Sequence, residues 1–256
     1  MKRDERRKAI MDLLVTMRAA TLDDLADRFG VSRMTIHRDL DDLEQAGVLR
    51  KIRGGATIEA GTRFESDFRV RAMQDAGPKA RMAQAAVALV EPGMTLLVND
   101  GSMAALMARG LVKKRPLTVI TNNAAIVDYL RDQPGITLMA LGGTYSSKYN
   151  AFFGGVTEHT LSRLRADIAF ISTPAVLGGR AFHMDGEVVR TKRAMMDAAT
   201  QSCLLINHTR FGRSALHLLA DLREFAAIIT DDAPDASEAA ILQRVGIALT
   251  IATEDA

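Results

Sequence analysis

The chain has 256 residues, 48% of them hydrophobic and 25% charged, with a formal net charge of +2, which is ordinary for a soluble globular protein of one large domain or of a small domain followed by a medium one. Its single cysteine, Cys203, excludes an internal disulfide, and no apolar run approaches the roughly eighteen residues that a membrane span needs. The charged start, Met1-Lys2-Arg3-Asp4-Glu5-Arg6-Arg7, does not read as a secretory signal, so a cytoplasmic protein with no membrane partner is expected.

In chain order, residues 3–18 carry Ile10, Leu13, Leu14 and Met17 at spacings of three and four, one face of a helix. Thr21 can cap a second helix, with Asp24 three residues on in the manner of a capping box, and Leu22, Leu25, Ala26 and Phe29 form its apolar face. Gly30 ends it. Only Val31 separates that stop from the next cap, Ser32, and a third helix follows with Met34 or Thr35, Ile36, Leu40, Leu43 and Ala46 available for packing. Two helices joined by a tight glycine-containing turn form a helix-turn-helix unit. Residues 48–58 then read as strand, Gly54-Gly55 turn and strand, with Arg50, Lys51 and Arg53 on the hairpin. A basic hairpin behind such a helix is a wing, whose cations can lie along a phosphate backbone beside the groove the helix enters. Residues 1–60 nevertheless hold 12 Lys/Arg and 11 Asp/Glu. Any electrostatic footprint must therefore come from how the charges are sorted over faces.

Residues 59–78, with Gly61, Gly77, Pro78, Phe64 and Phe68, look like a connector, continuing as a linker helix over about 64–75. The expected division is thus a winged helix-turn-helix domain over 1–58, a linker over 59–78 and a larger domain over 79–256. In that larger domain, short apolar runs at 95–98, 117–121, 136–141, 168–172, 203–207, 227–230 and 248–251 predict strands. Helices are predicted over 79–90, 103–112, 123–131, 157–165 and 192–199. Such alternation predicts an α/β fold with a mostly parallel sheet covered on both faces.

Ligands of open α/β sheets bind at the carboxyl ends of strands, so polar groups there are the candidates. Asp100-Gly101-Ser102 combines a tight turn, a hydroxyl and a helix start whose N–H groups suit an anion, although the same string is also a good turn. Thr121-Asn122-Asn123 can cap a helix or bind sugar hydroxyls. Gly142-Gly143-Thr144-Tyr145 permits close backbone approach. Asn207 and Arg210 close the next strand end, where Arg210 has the fork to clamp a phosphate or is simply a solvated arginine. Asp185, Glu187, Lys192 and Arg193 can reach the site from an apparent loop or can pair along a helix face. The five histidines lack metal-ligand spacing, and no G-x-S-x-G, Walker A or G-x-G-x-x-G motif occurs. Neither a metal, a cofactor nor a catalytic residue is expected.

The string Val31-Ser32-Arg33-Met34-Thr35-Ile36-His37-Arg38-Asp39-Leu40 with Arg53-Gly54-Gly55-Ala56 resembles the N-terminal signature of DeoR-type transcription regulators. Asp100-Gly101-Ser102, Val119-Ile120-Thr121-Asn122, Leu141-Gly142-Gly143, Gly154-Gly155, Lys192-Arg193-Ala194-Met195 and Arg210-Phe211-Gly212 follow in the family's order. The resemblance implies a sensor domain similar to ribose-5-phosphate isomerases, and a homodimer or homotetramer that leaves double-stranded operator DNA when a phosphorylated sugar or related metabolite binds. DNA contacts are then expected from Ser32, Arg33, Thr35, His37, Arg38, Arg50, Lys51 and Arg53. Effector contacts are expected from Asp100, Gly101, Ser102, Thr121, Asn122, Asn123, Gly142, Gly143, Tyr145, Lys192, Asn207 and Arg210. The chain departs from the family's usual pattern at His37 and Arg210, at Asn99 and Asn207 in place of aspartates, and at Ser172-Thr173-Pro174-Ala175, where related isomerases carry carboxylates. Without those carboxylates proton abstraction from a sugar lacks its base, which favours a sensor over the alternative of an isomerase-like enzyme bearing a DNA-binding domain. A regulator that answers to a partner protein is the third reading.

Overall fold

The computed structural model describes residues 1–58 and 67–253, which fall into two compact units, Met1–Gln74 and Asp75–Ala256. Residues 59–66 of the expected connector, with Gly61, Phe64 and the start of the linker helix, lie outside the described residues.

The first unit runs α1 (Arg3–Met17), β1 (Ala19–Thr21), α2 (Leu22–Phe29), α3 (Arg33–Gln45), β2 (Arg50–Ile52), β3 (Gly55–Thr57) and α4 (Phe68–Met73). Thr21 Oγ1 accepts from Asp24 N at 3.1 Å and donates to the Asp24 carboxylate, so the expected box closes between side chains. Gly30 ends α2 in the left-handed region at φ 62°, and Ser32 Oγ accepts from Thr35 N at 3.2 Å to start α3. Ile10, Leu14, Leu25, Ile36, Leu40, Leu43, Leu49 and Ile58 form one core. Of Met34 or Thr35, Thr35 is the half-buried one and Met34 is exposed, and Ala46 is exposed too, because the apolar residues that α3 buries are Ile36, Leu40 and Leu43. The wing turns at Arg53-Gly54, with Gly54 at φ 76°, and Gly55 belongs to β3. Its glycine is required by β1, which the sequence reading lacked: a Cβ on Gly55 would stand 2.2 Å from Ala20 O. The sheet order is β1-β3-β2, antiparallel throughout.

A buried carboxylate ties α3 to α1. Asp39, 1% exposed, accepts from Arg6 Nε at 2.5 Å and lies 3.5 Å from Arg7 Nε, while Arg3 and Arg7 also pair with Asp42. These contacts set the pose of α3 from behind, opposite the face that carries His37.

The second unit runs α5 (Ala76–Ala88), β4 (Thr95–Val98), α6 (Ser102–Leu111), β5 (Leu117–Thr121), α7 (Ala124–Leu130), β6 (Ile136–Ala140), β7 (Thr144–Ser146), β8 (Ala151–Phe153), α8 (Gly155–Leu161), β9 (Ala166–Ser172), β10 (Ala175–Leu177), β11 (Arg180–His183), α9 (Gly186–Asp197), β12 (Ala199–Leu205), β13 (His217–Asp221), β14 (Ala227–Thr230), α10 (Ala236–Val245) and β15 (Ala248–Ile251). Seven strands form one parallel sheet in the order β15-β14-β12-β9-β4-β5-β6. Leu96, Val98, Ile168 and Phe170 point to one face, against Met82, Met103, Met107 and Ile126 of the helices there. Leu97, Ala169 and Ile171 point to the other, against Leu161, Met195 and Leu242. Burial on both faces is why inner strands such as β4 and β14 read as unbroken apolar runs, while the edge strands β6 and β15 are more exposed.

Three features were not foreseen. Helix α9 begins six residues before the expected start, because Asp185 Oδ1 accepts from Glu187 N at 2.9 Å and caps it. Helix α10 was not expected. A small antiparallel sheet, β10-β11-β13, together with the β7-β8 hairpin, extends the unit beyond the parallel core.

Two outcomes follow from this packing. Asp39→Ala strands the Arg6 guanidinium in the interior and should lower the opening free energy of α3 amides, read by hydrogen exchange, by about 3–5 kcal/mol, with Asp39→Asn milder. Burial pushes the Cys203 thiol up to about 12. At pH 8 roughly one thiol in ten thousand is then ionised, so iodoacetamide should leave the native protein unlabelled and label it fully in denaturant, as mass spectrometry will read.

Candidate functional site

In the first unit, the residues expected to meet DNA sit on α3 and the hairpin, and their charges are sorted unevenly. Ser32 and Thr35 are joined at the cap by a 2.9 Å contact between their hydroxyls. Arg33 forms a two-pronged pair with Asp23 at 2.6 and 2.7 Å. His37 Nδ1 donates to Asp41 Oδ2 at 3.1 Å, and Lys51 Nζ donates to Asp41 Oδ1 at 2.5 Å. Those hydrogen bonds, Lys51's first and His37's next, hold the Asp41 carboxyl below its ordinary value. Arg38, Arg50 and Arg53 are exposed and carry no ion pair among the described residues. The exposed face of α3 therefore presents one uncommitted guanidinium, the wing two, while Arg33, His37 and Lys51 are held by acids of the same unit.

In the second unit, the strand order reverses between β4 and β9: β5 and β6 follow on one side of β4, while β9, β12, β14 and β15 follow on the other. Such a reversal opens a crevice at the carboxyl ends, because the two connections leave in opposite directions. The loops after β4 and β9 meet there. Gly101 lies so close to Ser172 that a Cβ would stand 2.1 Å from its Oγ. Lys192, 2% exposed on α9, donates to Ser172 O at 2.9 Å and lies 3.5 Å from the Asp100 carboxylate, itself 1% exposed. Hydrogen-bond complementarity sets the Asn99 amide with its oxygen toward Lys192 Nζ and Ser172 Oγ, each at 3.2 Å. All three ammonium protons thus face internal acceptors.

The neighbouring candidates also make internal bonds. Thr121 Oγ1 donates to Val98 O at 2.6 Å and accepts from Asn123 N at 3.1 Å. Asn123 caps α7 through Ala125 N at 3.0 Å and donates to Gly101 O at 3.2 Å. Asn122 Nδ2 donates to Phe152 O at 2.9 Å, while its buried Oδ1 has no partner. Ser102 is the first residue of α6 and not its cap. Gly101 takes the cap position, so no side chain there accepts from the first N–H groups of α6.

The remaining candidates lie farther along the same edge. Gly142 O accepts from Thr157 Oγ1 at 2.5 Å, and Gly143, at φ 139°, has no room for a Cβ beside Phe153 O at 2.3 Å. Tyr145 is exposed on β7, donating to Asn150 Oδ1 at 2.7 Å with its ring beside Phe152. On the other side of the crevice, Asn207 Nδ2 donates to Asp231 Oδ2 at 2.8 Å, His208 N donates to Asp231 Oδ1 at 2.7 Å, and Arg210 is half-buried at the end of the same turn. The structure brings Asp100, Gly101, Thr121, Asn123 and Lys192 into one bonded network and leaves Tyr145, Asn207 and Arg210 as more accessible flanks. Sequence reasoning names Asn99 and Ser172 as departures at the strand ends without giving them a contact, and does not name Asp231. Their positions, directly after β4, at the end of β9 and directly after β14, were the available signal.

Residues 6–61 match the DeoR-like helix-turn-helix domain, and residues 74–232 match the DeoR C-terminal sensor domain. The chain is 31% identical over 251 residues to an uncharacterized HTH-type transcriptional regulator, YgbI, of Escherichia coli (strain K12), covering 98% of each chain. It is 25% identical to the glycerol-3-phosphate regulon repressor of the same organism, covering 94% of this chain and 96% of that one. Among solved structures, ribose 5-phosphate isomerase A from Methanocaldococcus jannaschii aligns with 54% of this chain and 55% of its own, at 19% identity and a TM-score of 0.40.

The Lys192 network predicts a specific pattern of stabilities. Lys192→Met leaves Asp100 charged and buried and should cost about 3–5 kcal/mol in a urea titration followed by circular dichroism. Adding Asp100→Asn should recover much of that loss, and simple additivity of the two changes would show that the pair is not coupled.

Proposed function

The chain belongs to the DeoR family of DNA-binding transcription regulators, and from that premise we propose that it is a cytoplasmic repressor of a carbohydrate-catabolism operon, released from its operator by a phosphorylated sugar or related metabolite. The observation that carries the effector half of this reading is the reversal of strand order between β4 and β9, with polar loops converging on it. Uncapped N–H groups at the start of α6 and the fork of Arg210 suit a phosphate, and Asn207 and Tyr145 suit hydroxyls. Asp100, Thr121, Asn123 and Lys192 act mainly by holding the loops in place, since they are fully buried as well as bonded within the protein. The strand end at Ser172 bears no carboxylate to serve as a base for sugar isomerisation, which supports a sensor. The name of the glycerol-3-phosphate regulon repressor supports a phosphorylated effector.

On the DNA side, Arg38 enters the groove, and Arg50 and Arg53 run along the backbone. Ser32, Thr35, Arg33, His37 and Lys51 contribute once their internal partners are exchanged. Three uncommitted cations on α3 and the wing make a weak footprint, so a homodimer or homotetramer on repeated half-sites supplies the affinity. Release requires only that effector and DNA prefer different states of the protein.

Arg38→Ala should weaken binding to an operator duplex by about 1–3 kcal/mol in a mobility-shift titration. A thermal-shift screen of sugar phosphates should find a compound that stabilises the protein, by about 2.7 kcal/mol at a hundred times its dissociation constant, and that also frees the DNA. A screen in which no sugar phosphate does either would overturn the effector assignment.

A further inference from the structure

We propose that Asp41 is an internal competitor for backbone phosphate, which lowers sequence-independent DNA binding and so sets how selectively this regulator reads its operator. This rests on the DNA-facing assignment of α3 and the wing. Asp41 lies one turn after His37 on α3, away from the buried stripe of Ile36, Leu40 and Leu43, and its side chain is 50% exposed. A carboxylate on a face that meets a polyanion is repelled by it. This one bridges the two elements expected at the DNA, taking His37 of the helix at 3.1 Å and Lys51 of the wing at 2.5 Å. Neighbouring Glu44 accepts from Lys51 N at 2.7 Å, so the wing is held to α3 through both its backbone and its ammonium. The lowered titration of Asp41 keeps it an anion wherever the protein would bind DNA.

The physical consequence is a trade. Sequence-independent affinity comes from cations that displace counterions condensed on the duplex, each contact adding about 0.9 to the salt slope. Lys51 reaches a phosphate only by giving up a carboxylate, so its net contribution is small, and His37 is restrained in the same way. Arg38, Arg50 and Arg53 make no such exchange among the described residues. Contacts to base edges are not taxed, and the ratio of operator to random binding rises.

The test compares the full-length protein with Asp41→Asn on two probes: an operator duplex selected in vitro from random sequence, and a random-sequence duplex. Asp41→Asn should bind the random duplex roughly two- to fivefold more tightly at 0.1 M salt and steepen its salt slope by about one contact, with a smaller gain on the operator and an unchanged circular dichroism spectrum. Adding Lys51→Met should return the slope to that of the parent. An unchanged slope with Asp41→Asn overturns the proposal, as does weaker operator binding with unchanged random binding, which would mark Asp41 as a reader of cytosine N4–H. Arg38→Ala and Arg50→Ala, measured alongside, separate the two levels. If neither loses affinity for either duplex, the DNA-facing assignment itself fails; if both lose affinity while Asp41→Asn changes nothing, only the competitor role fails.

Discussion

A charge that water cannot reach must find its partners inside the protein, and each unit of this chain is arranged around such a charge. In the second unit it is the ammonium of Lys192, enclosed by Ser172 O, the Asn99 amide and the Asp100 carboxylate. Those partners come from the two strands at which the sheet reverses. The compensation of one buried cation therefore holds β4, β9 and α9 together at the crevice that the reversal opens. In the first unit the counterpart is Asp39, enclosed by arginines of α1. Removing one member of either set costs far more than the pair contributes over an apolar replacement, because the member left behind is then unpaired. Such networks specify geometry more than they add stability.

Burial separates the enclosed polar groups of the crevice from those on its flanks. Thr121, Asn123, Asp100 and Lys192 are the kinds of residue that a binding site uses, yet their polar atoms are occupied by backbone and side chains of neighbouring loops. Their work is to keep the loops after β4 and β5 rigid. Asn207 and Tyr145, on the flanks, are bonded as well, to Asp231 and Asn150, and differ in being half-buried and exposed instead of enclosed. On the DNA-binding unit, the near balance of acids and bases hides a division of labour: Asp23 and Asp41 hold cations at the surface, Asp39 and Asp42 hold cations between helices, and Arg38, Arg50 and Arg53 stand apart from them.

Much of the architecture was legible in local pattern. Strands 95–98, 117–121, 227–230 and 248–251 were placed at their observed bounds, because each is an apolar run closed by turn residues. The caps Thr21 and Ser32 and the stop at Gly30 were legible because a cap is a contact over three residues. The parts that were not legible share a different origin. Strands β1, β11 and β13 are three to five residues long and pair with distant segments, as Ala20 does with Ala56 and Ala181 with Ala220, while β10 pairs locally with β11 across Gly178-Gly179. Gly55 looked like half of a turn, whereas its requirement comes from the close approach of Ala20.

The sequence by itself determined the class of the molecule: a capped helix-turn-helix with a basic hairpin, then alternating strands and helices with polar strand ends. Periodicity, capping and turn chemistry act over a few residues, so they are written in the chain. Only the tertiary structure decided which charged groups are free. Arg33, His37 and Lys51 read like Arg38, and Lys192 reads like any helix lysine, until the fold brings Asp23, Asp41 and Asp100 to them. A charge's role depends on its nearest opposite charge and on its access to water, and both are set by segments far apart in sequence.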